Sequence, residues 1–308
     1  MPSTAGGEIP LSSGIRIWLR QIRAPFLLLP AALVLLGTAI ARSEGYFEPV
    51  RFILTFFGLL LAHISVNVFN EYSDYKSGID FNTTRTPFSG GSAVLQERLL
   101  APGTVYLFGL FCLATAFVIG IYLIVQVGWQ LLPLILFGGL TCYFYTSYLT
   151  KLPVAELVAG LGLGSLPVIG TYVVQTGYYS PGVIVASITP GLLTANLLFL
   201  NEFPDYDADM GGGRRHLVIR LGKKKAAVVY AVLTGMVYLG VIVPVALKVM
   251  PVAGLIALIS LPAAIQAVRV TMKYYDDSPA LIPALKANVI VVLGTDILLA
   301  GGYFISMF

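Results

Sequence analysis

Charge is scarce in this chain. Of its 308 residues only 34 are Asp, Glu, Lys or Arg, or 11%, against about 25% in soluble domains. A soluble particle covers its surface with polar side chains, so a soluble enzyme and a disordered chain are both excluded. Cysteine is scarcer still. Cys112 and Cys142 are the two present, which rules out a disulfide scaffold. Both lie inside apolar stretches and are expected as buried free thiols. The alternating apolar–polar pattern of barrel strands is missing as well, and a porin-type barrel goes with it.

What fills the chain is apolar. The residues A, V, I, L, M, F, W, Y and C make up 57%, and the mean hydropathy is +0.86. They form nine runs, roughly 24–42, 51–70, 103–126, 130–148, 154–175, 182–201, 226–247, 251–272 and 287–307. A helix of about 20 residues crosses about 30 Å of hydrocarbon. The fold class predicted is therefore all-α, a polytopic membrane protein with nine transmembrane helices around a central cavity. The break between the seventh and eighth runs is only Lys248-Val249-Met250-Pro251.

Nine crossings place 16 of the 19 Lys and Arg residues on the side that holds the N-terminus. By the positive-inside rule that side is cytoplasmic. The net charge of +4 then reads as basic cytoplasmic loops and not as a nucleic-acid surface. Residues 8–22 mix Ile15, Trp18 and Leu19 with Arg16 and Arg20, the pattern of a short interfacial helix. The whole of 1–308 reads as one domain. It comprises an N-terminal segment 1–23, the membrane bundle, and two long cytoplasmic loops, 71–102 and 202–225, expected to cap a site. Long loops are commonly functional, so the work is expected at the cytoplasmic end.

Both loops open on nearly the same string. The first is Asn70-Glu71-Tyr72-Ser73-Asp74-Tyr75, followed by Gly78 and Asp80. The second is Asn201-Glu202-Phe203-Pro204-Asp205-Tyr206, followed by Asp207 and Asp209. The copies follow the second and sixth runs, an offset that suggests a repeated four-helix unit. If helix continues through them, Asn70 shares a face with Asp74, and Asn201 with Asp205 and Asp209. Acidic clusters brought face to face repel one another without cations. Oxygen ligands suit Mg²⁺ or Ca²⁺, and Mg²⁺ is usually shared between one or two carboxylates and substrate phosphates. The pattern thus points to a metal-bound diphosphate. Glu71, Glu202 and Asp207 are the members expected to be surface charges.

These motifs resemble those of the UbiA superfamily of intramembrane aromatic prenyltransferases, with its two N-x-x-x-D-x-x-x-D signatures on nine helices. The second motif fits as Asn201, Asp205 and Asp209. The first fits as Asn70 and Asp74, with its last acid displaced by two residues to Asp80. Residues 82–92, 156–160, 170–177 and 217–222 resemble the menaquinone-type branch, which includes 1,4-dihydroxy-2-naphthoate prenyltransferase and its animal vitamin K relative. The resemblance implies a polyprenyl diphosphate donor (geranylgeranyl or longer), Mg²⁺, an aromatic acceptor, and surrounding membrane lipid. Asp74, Asp80, Asp205 and Asp209 would hold Mg²⁺ against the diphosphate, with Asn70 and Asn201 as neutral ligands or orienters.

Further residues join as candidates. Arg85 and Lys151 are proposed diphosphate contacts, with positive-inside charge as their competing role. Arg215 is an assisting cation within the basic run 214–225, which otherwise reads as lipid-headgroup and topology charge. Tyr72, Tyr145 and Tyr148 sit where aromatic faces could stabilise an allylic cation. Asn67, one turn before Asn70, is expected to line the same cavity. His63, Glu156 and Asp296 are left without a single role, and His216 reads as a loop histidine. Two other readings stay open: prenyl transfer to a geranylgeranylglyceryl phosphate-type ether lipid, and a cation or organic-anion transporter. Transporters tend to place their carboxylates near the bilayer midplane, whereas these cluster at one end.

Overall fold

Prolines and short polar caps set where the long helices begin. In α3 (Pro49–Ser77) Glu48 caps the first turn by accepting from the Arg51 amide at 2.7 Å, and Pro49 follows at the first helical position. In α8 (Pro181–Gly211) Ser180 accepts from the Gly182 amide at 3.0 Å, and Pro181 follows. Proline there has no amide to leave unsatisfied. The two helices that carry the acidic motifs are thus launched by the same device, in keeping with a repeat.

The structure, a computed structural model, describes residues 11–81, 83, 85–145, 148–152 and 154–308. Their order is α1 (Leu11–Gln21), a 3₁₀ turn leading into α2 (Leu28–Ser43), α3, α4 (Pro102–Val127), α5 (Leu132–Phe144), and α6 (Ala155–Gly160). A π-turn, Leu161–Ser165, joins α6 to α7 (Leu166–Thr176). Then come α8, α9 (Leu217–Leu221), α10 (Lys223–Ala246), a 3₁₀ stretch Val252–Ser260 leading into α11 (Leu261–Tyr274), and α12 (Ser278–Ile305). The described residues contain eight helices long and apolar enough to cross a bilayer, and one shorter apolar helix, Trp129–Phe144. The protein is an all-helical, multi-pass membrane protein. The short member is the fourth of the nine apolar runs.

Two boundaries differ from the hydropathy reading. Helix does not stop at residues 70 and 201 but continues to Ser77 and Gly211. The expected loops 71–102 and 202–225 therefore lose their first seven and ten residues to helix, and 223–225 to the start of α10. The motifs are polar, so hydropathy ends the span there, while the backbone hydrogen bonds go on.

Among the described residues Cys112 and Cys142 are buried free thiols. In α1, Ile15 and Leu19 are exposed while Trp18 packs on Phe108 of α4, ring centres 4.7 Å apart. That is an amphipathic helix laid across the bundle end. The backbones of α6 and α8 cross closely. A Cβ on Gly160 would meet the Gly191 carbonyl at 2.5 Å, and one on Gly164 the Pro190 carbonyl at 2.6 Å. Small residues four apart permit such contact between membrane helices, and the crossing brings the start of α6 against the motif end of α8.

Candidate active site

Because α3 continues through its motif, Glu71 and Asp74 lie three residues apart and share a side of the helix. On α8 the same spacing relates Glu202 to Asp205, and Asp209 follows one turn later. Asp74, Asp80, Asp209, Glu71 and Glu202 are all buried. Glu71 and Glu202 are therefore not the surface charges expected of them. The charge density of five buried acids needs a counterweight, and a single arginine supplies much of it.

Arg214 is that counterweight. Its Nη1 donates to Asp209 Oδ1 at 2.7 Å, and its Nη2 hydrogen-bonds Asp74 Oδ1. Burial alone would weaken the hold of the guanidinium on its proton. Asp74 and Asp209 outweigh that and raise its pKa. The two motifs, carried by separate halves of the chain, thus meet across one side chain. The basic run 214–225 contributes Arg214 to the site in place of the expected Arg215. Arg215 is exposed, and its amide donates to the Thr150 carbonyl at 3.3 Å.

Asp80 sits in the 3₁₀ turn Ile79–Phe81, just past the left-handed Gly78 (φ 78°) that ends α3. The turn lets an acid six residues beyond Asp74 return to the cluster. Asp80 Oδ2 accepts from Gln96 Nε2 at 2.7 Å. Burial, and then the charges of Asp74 and Glu71, push its carboxyl pKa up to about 7. Glu71 works differently from the Asp residues. It accepts from the Ser92 amide at 2.6 Å and the Ser92 hydroxyl at 2.9 Å, which ties the following loop down over the helix end.

The remaining candidates divide. On α8, the buried Asn201 Oδ1 and Asp205 Oδ1 find no partner among the described residues. Buried polar atoms are seldom left unpaired, and two carbonyl-type oxygens one turn apart are a donor set for a hard cation. Asn70 sits at the corresponding turn of α3 and is half-buried. Tyr145 is buried, close enough to Glu202, Glu156, Arg214 and Asp209 to feel their charges, and its hydroxyl is also unpartnered. Asn67 instead donates to the Ile22 carbonyl at 3.0 Å, so it anchors the start of the bundle. Tyr72 turns to α4, its ring 4.9 Å from that of Tyr106. Arg85, Lys151 and Tyr148 are exposed. Arg85 Nε donates within its own loop, to the Gly90 carbonyl at 3.2 Å, and Tyr148 packs on Phe144.

Two basic residues escaped the sequence reading, Arg214 and Arg23. Arg23 ends the turn after α1 in a left-handed conformation (φ 52°), which a non-glycine residue adopts only when held. Its guanidinium donates to the Phe88 carbonyl at 3.3 Å and lies 4.4 Å from the centre of the Phe26 ring. From there its charge reaches Glu71, Asp74 and Asp205. His216 is buried rather than a solvated loop residue, and contacts both Asp209 and Glu202.

An apolar cavity, open along one side and holding about 910 Å³ of empty space with its mouth included, begins one helical turn beyond Tyr145, at Cys142 and His63. It runs between α3, α4, α5 and α7 to Thr55, Leu131 and Val174 near the opposite end of the bundle. Gly138, Gly139, Gly162 and Gly170 keep its walls low. The buried Asp296, by contrast, lies past the midpoint of α12, and neither of its oxygens has a partner among the described residues.

Comparison with known proteins agrees with this architecture. A family model described as the UbiA prenyltransferase family matches residues 28–289. A 1,4-dihydroxy-2-naphthoate octaprenyltransferase of Bacillus subtilis (strain 168) is 28% identical over 239 residues, covering 77% of this chain and 76% of that one. The Escherichia coli (strain K12) protein of the same name is 26% identical over 308 residues, covering 96% and 97%. Among solved structures, an Archaeoglobus fulgidus UbiA homolog bound to DMAPP and Mg²⁺ superposes with a TM-score of 0.60 at 14% identity, covering 94% and 98%. A digeranylgeranylglyceryl phosphate synthase superposes with 0.61 at 17% identity, covering 96% and 99%.

Proposed function

Since this chain belongs to the UbiA prenyltransferase family, we propose that it transfers a polyprenyl group from its diphosphate to 1,4-dihydroxy-2-naphthoate or a close aromatic relative. The observation that carries the reading is the meeting of the two acidic motifs over an apolar cavity. One end of the site is built for a diphosphate and the other for a hydrocarbon. The naphthoate acceptor is supported by the names of the two bacterial relatives. The positive-inside pattern supports an N-terminus and an active site on the cytoplasmic face.

The residues fit Mg²⁺. Asp74, Asp80, Asp205 and Asp209 offer hard oxygens, and Asn201 Oδ1 and Asp205 Oδ1 are buried without partners. Bound there with the donor, Mg²⁺ would supply positive charge against the leaving diphosphate. The protein's own groups do the rest. Arg214 moves from neutralising Asp74 and Asp209 to donating to the diphosphate, and Arg23 adds charge from the mouth. Asn70 and Asn201 orient ligands. The Ser92–Glu71 contact holds the segment around Ser92 over the reacting end and would help keep water out. The isoprenoid tail lies in the cavity that opens at Cys142 and His63. Tyr145 feels the charges of the acids and lies one helical turn from the cavity-lining Cys142, from where its ring face would stabilise an allylic cation.

The test is product mass. Purified protein in detergent receives geranylgeranyl diphosphate, Mg²⁺ and, in parallel, 1,4-dihydroxy-2-naphthoate, 4-hydroxybenzoate or geranylgeranylglyceryl phosphate. A prenylated naphthalene product supports the proposal. Product from the ether lipid alone would replace it with the lipid-synthase reading.

A further inference from the structure

Behind the acidic clusters lies a second group of buried titratable side chains. Glu156 stands at the start of α6, Glu202 on α8, and His216 just before α9. All three are buried, and one ligand atom of each can be chosen so that the three lie within 4.8 Å of one another. The chain is arranged to keep them there. The Gly160–Gly191 and Gly164–Pro190 contacts press α6 onto α8. The Leu217 amide donates to Glu156 Oε1 at 2.6 Å and clamps the segment carrying His216 to α6.

The imidazole of His216 joins this group to the acidic motif of α8. His216 Nε2 lies 3.1 Å from Asp209 Oδ2. Its Nδ1 lies 3.2 Å from Glu202 Oε2. Among the described residues neither of these atoms, nor Glu156 Oε2, has a hydrogen-bond donor aimed at it in good geometry. One ligand atom from each of the three residues thus converges on the same space. In a metal-binding histidine one ring nitrogen commonly faces a carboxylate while the other faces the ion, and His216 has acids on both sides.

We propose that Glu156, Glu202 and His216 form a binding site for a divalent transition-metal ion, distinct from the Mg²⁺–diphosphate site. One imidazole nitrogen and two carboxylate oxygens suit zinc or manganese better than the all-oxygen shell preferred by Mg²⁺. Two negative charges on the glutamates balance the ion. The Tyr145 hydroxyl, unpartnered and near both glutamates, is the candidate fourth ligand. Such an ion would cross-link α6, α8 and the segment before α9, and through His216 would fix the orientation of Asp209. Glu156 and Glu202 also lie within hydrogen-bonding reach of each other, so the competing occupant is a proton shared between them.

Zinc titration separates the two. The full-length protein in detergent is stripped with EDTA, dialysed, and supplied with excess Mg²⁺ to fill the other acids. Zn²⁺ binding is then followed by calorimetry and by thermal unfolding, with Co²⁺ visible absorption as a second probe. The site predicts one Zn²⁺ per chain, a raised unfolding temperature, and a Co²⁺ spectrum of low coordination number. Stoichiometric binding disappears in Glu156→Gln and in Glu202→Gln, whereas Asp80→Asn, which alters only the Mg²⁺ acids, retains it. Folding of each variant is checked by its unfolding transition without zinc. No Zn²⁺ binding by the wild-type chain overturns the proposal, as does binding that both glutamine variants preserve. Neither result depends on turnover, so the fate of the prenyltransferase reading is judged separately.

Discussion

Asp74 and Asp209 lie on different helices, 135 residues apart, and share the guanidinium of Arg214. The arginine sits between the two motifs, where cationic charge is most needed. It stabilises the protein without metal and must yield when a divalent cation enters. Arg214→Gln removes the one and frees the other. Breaking a buried ion pair costs about 3–5 kcal/mol because the partner is left charged and unpaired. The variant's unfolding temperature should fall in EDTA and recover largely in Mg²⁺ with donor diphosphate. Mg²⁺ should bind more tightly than in wild type, yet turnover should drop on the order of a hundredfold through loss of a donor to the leaving group. Unchanged Mg²⁺ affinity would show that the arginine does not compete for the site.

Asp80 contributes to the pH dependence of the site. With its carboxyl pushed up to about 7, the proton is held below that pH and released above it. Mg²⁺ must displace the proton, so its apparent affinity falls as pH drops from 8 to 6, by at most about tenfold per unit. Asp80→Asn should flatten this part of the profile. Calorimetric Mg²⁺ titrations at several pH values, in buffers of different ionisation enthalpy, measure both the slope and the proton released.

Neighbouring acids at the end of α8 should behave oppositely. Asp209 is buried in contact with Arg214 and His216, whereas the Asp207 side chain is 83% exposed and only 3.9 Å from Lys223 Nζ. Asp207→Asn should leave turnover within about twofold, since an exposed pair contributes little. Asp209→Asn should lower it on the order of a hundredfold. Steady-state kinetics on the two variants side by side checks the contrast.

The cavity should read donor length. Gly138 and Gly139 line it on α5, and a Cβ built on either meets no atom within 4 Å. Gly138→Leu therefore starts its side chain in open space and extends it into the cavity, and leucine is the better helix former. Dimethylallyl and geranyl diphosphates should remain substrates, while kcat/KM for long donors should fall by about tenfold or more. A donor-length series on the variant, compared with wild type, gives the answer.

Much of this site is visible in the sequence, because a repeated polar string at two equivalent span ends stands out against apolar surroundings. The helices themselves were legible as hydrophobic runs. Hydropathy misjudged their ends, since Asp74 and Asp209 are polar yet helical. Glu71 and Glu202 could have been recognised as buried: once helix is extended, their three-residue spacing to Asp74 and Asp205 puts them on the same side. Arg214 could not. It lies in a run of six basic residues between 214 and 225, and only the fold selects it over Arg215. Glu156 and His216 meet through a tertiary crossing of α6 and α8, which no local pattern announces.

The most direct test of the central claim is Mg²⁺-dependent release of pyrophosphate from geranylgeranyl diphosphate in the presence of 1,4-dihydroxy-2-naphthoate. It should be measured on wild type, Asp74→Ala and Asp205→Ala, one variant from each motif. The account predicts release by the wild type only, abolished by EDTA and lost in both variants, with unfolding transitions that show the variants intact. Release that persists in either folded variant, or a well-folded wild type that neither binds nor turns over the donor with Mg²⁺, would contradict it.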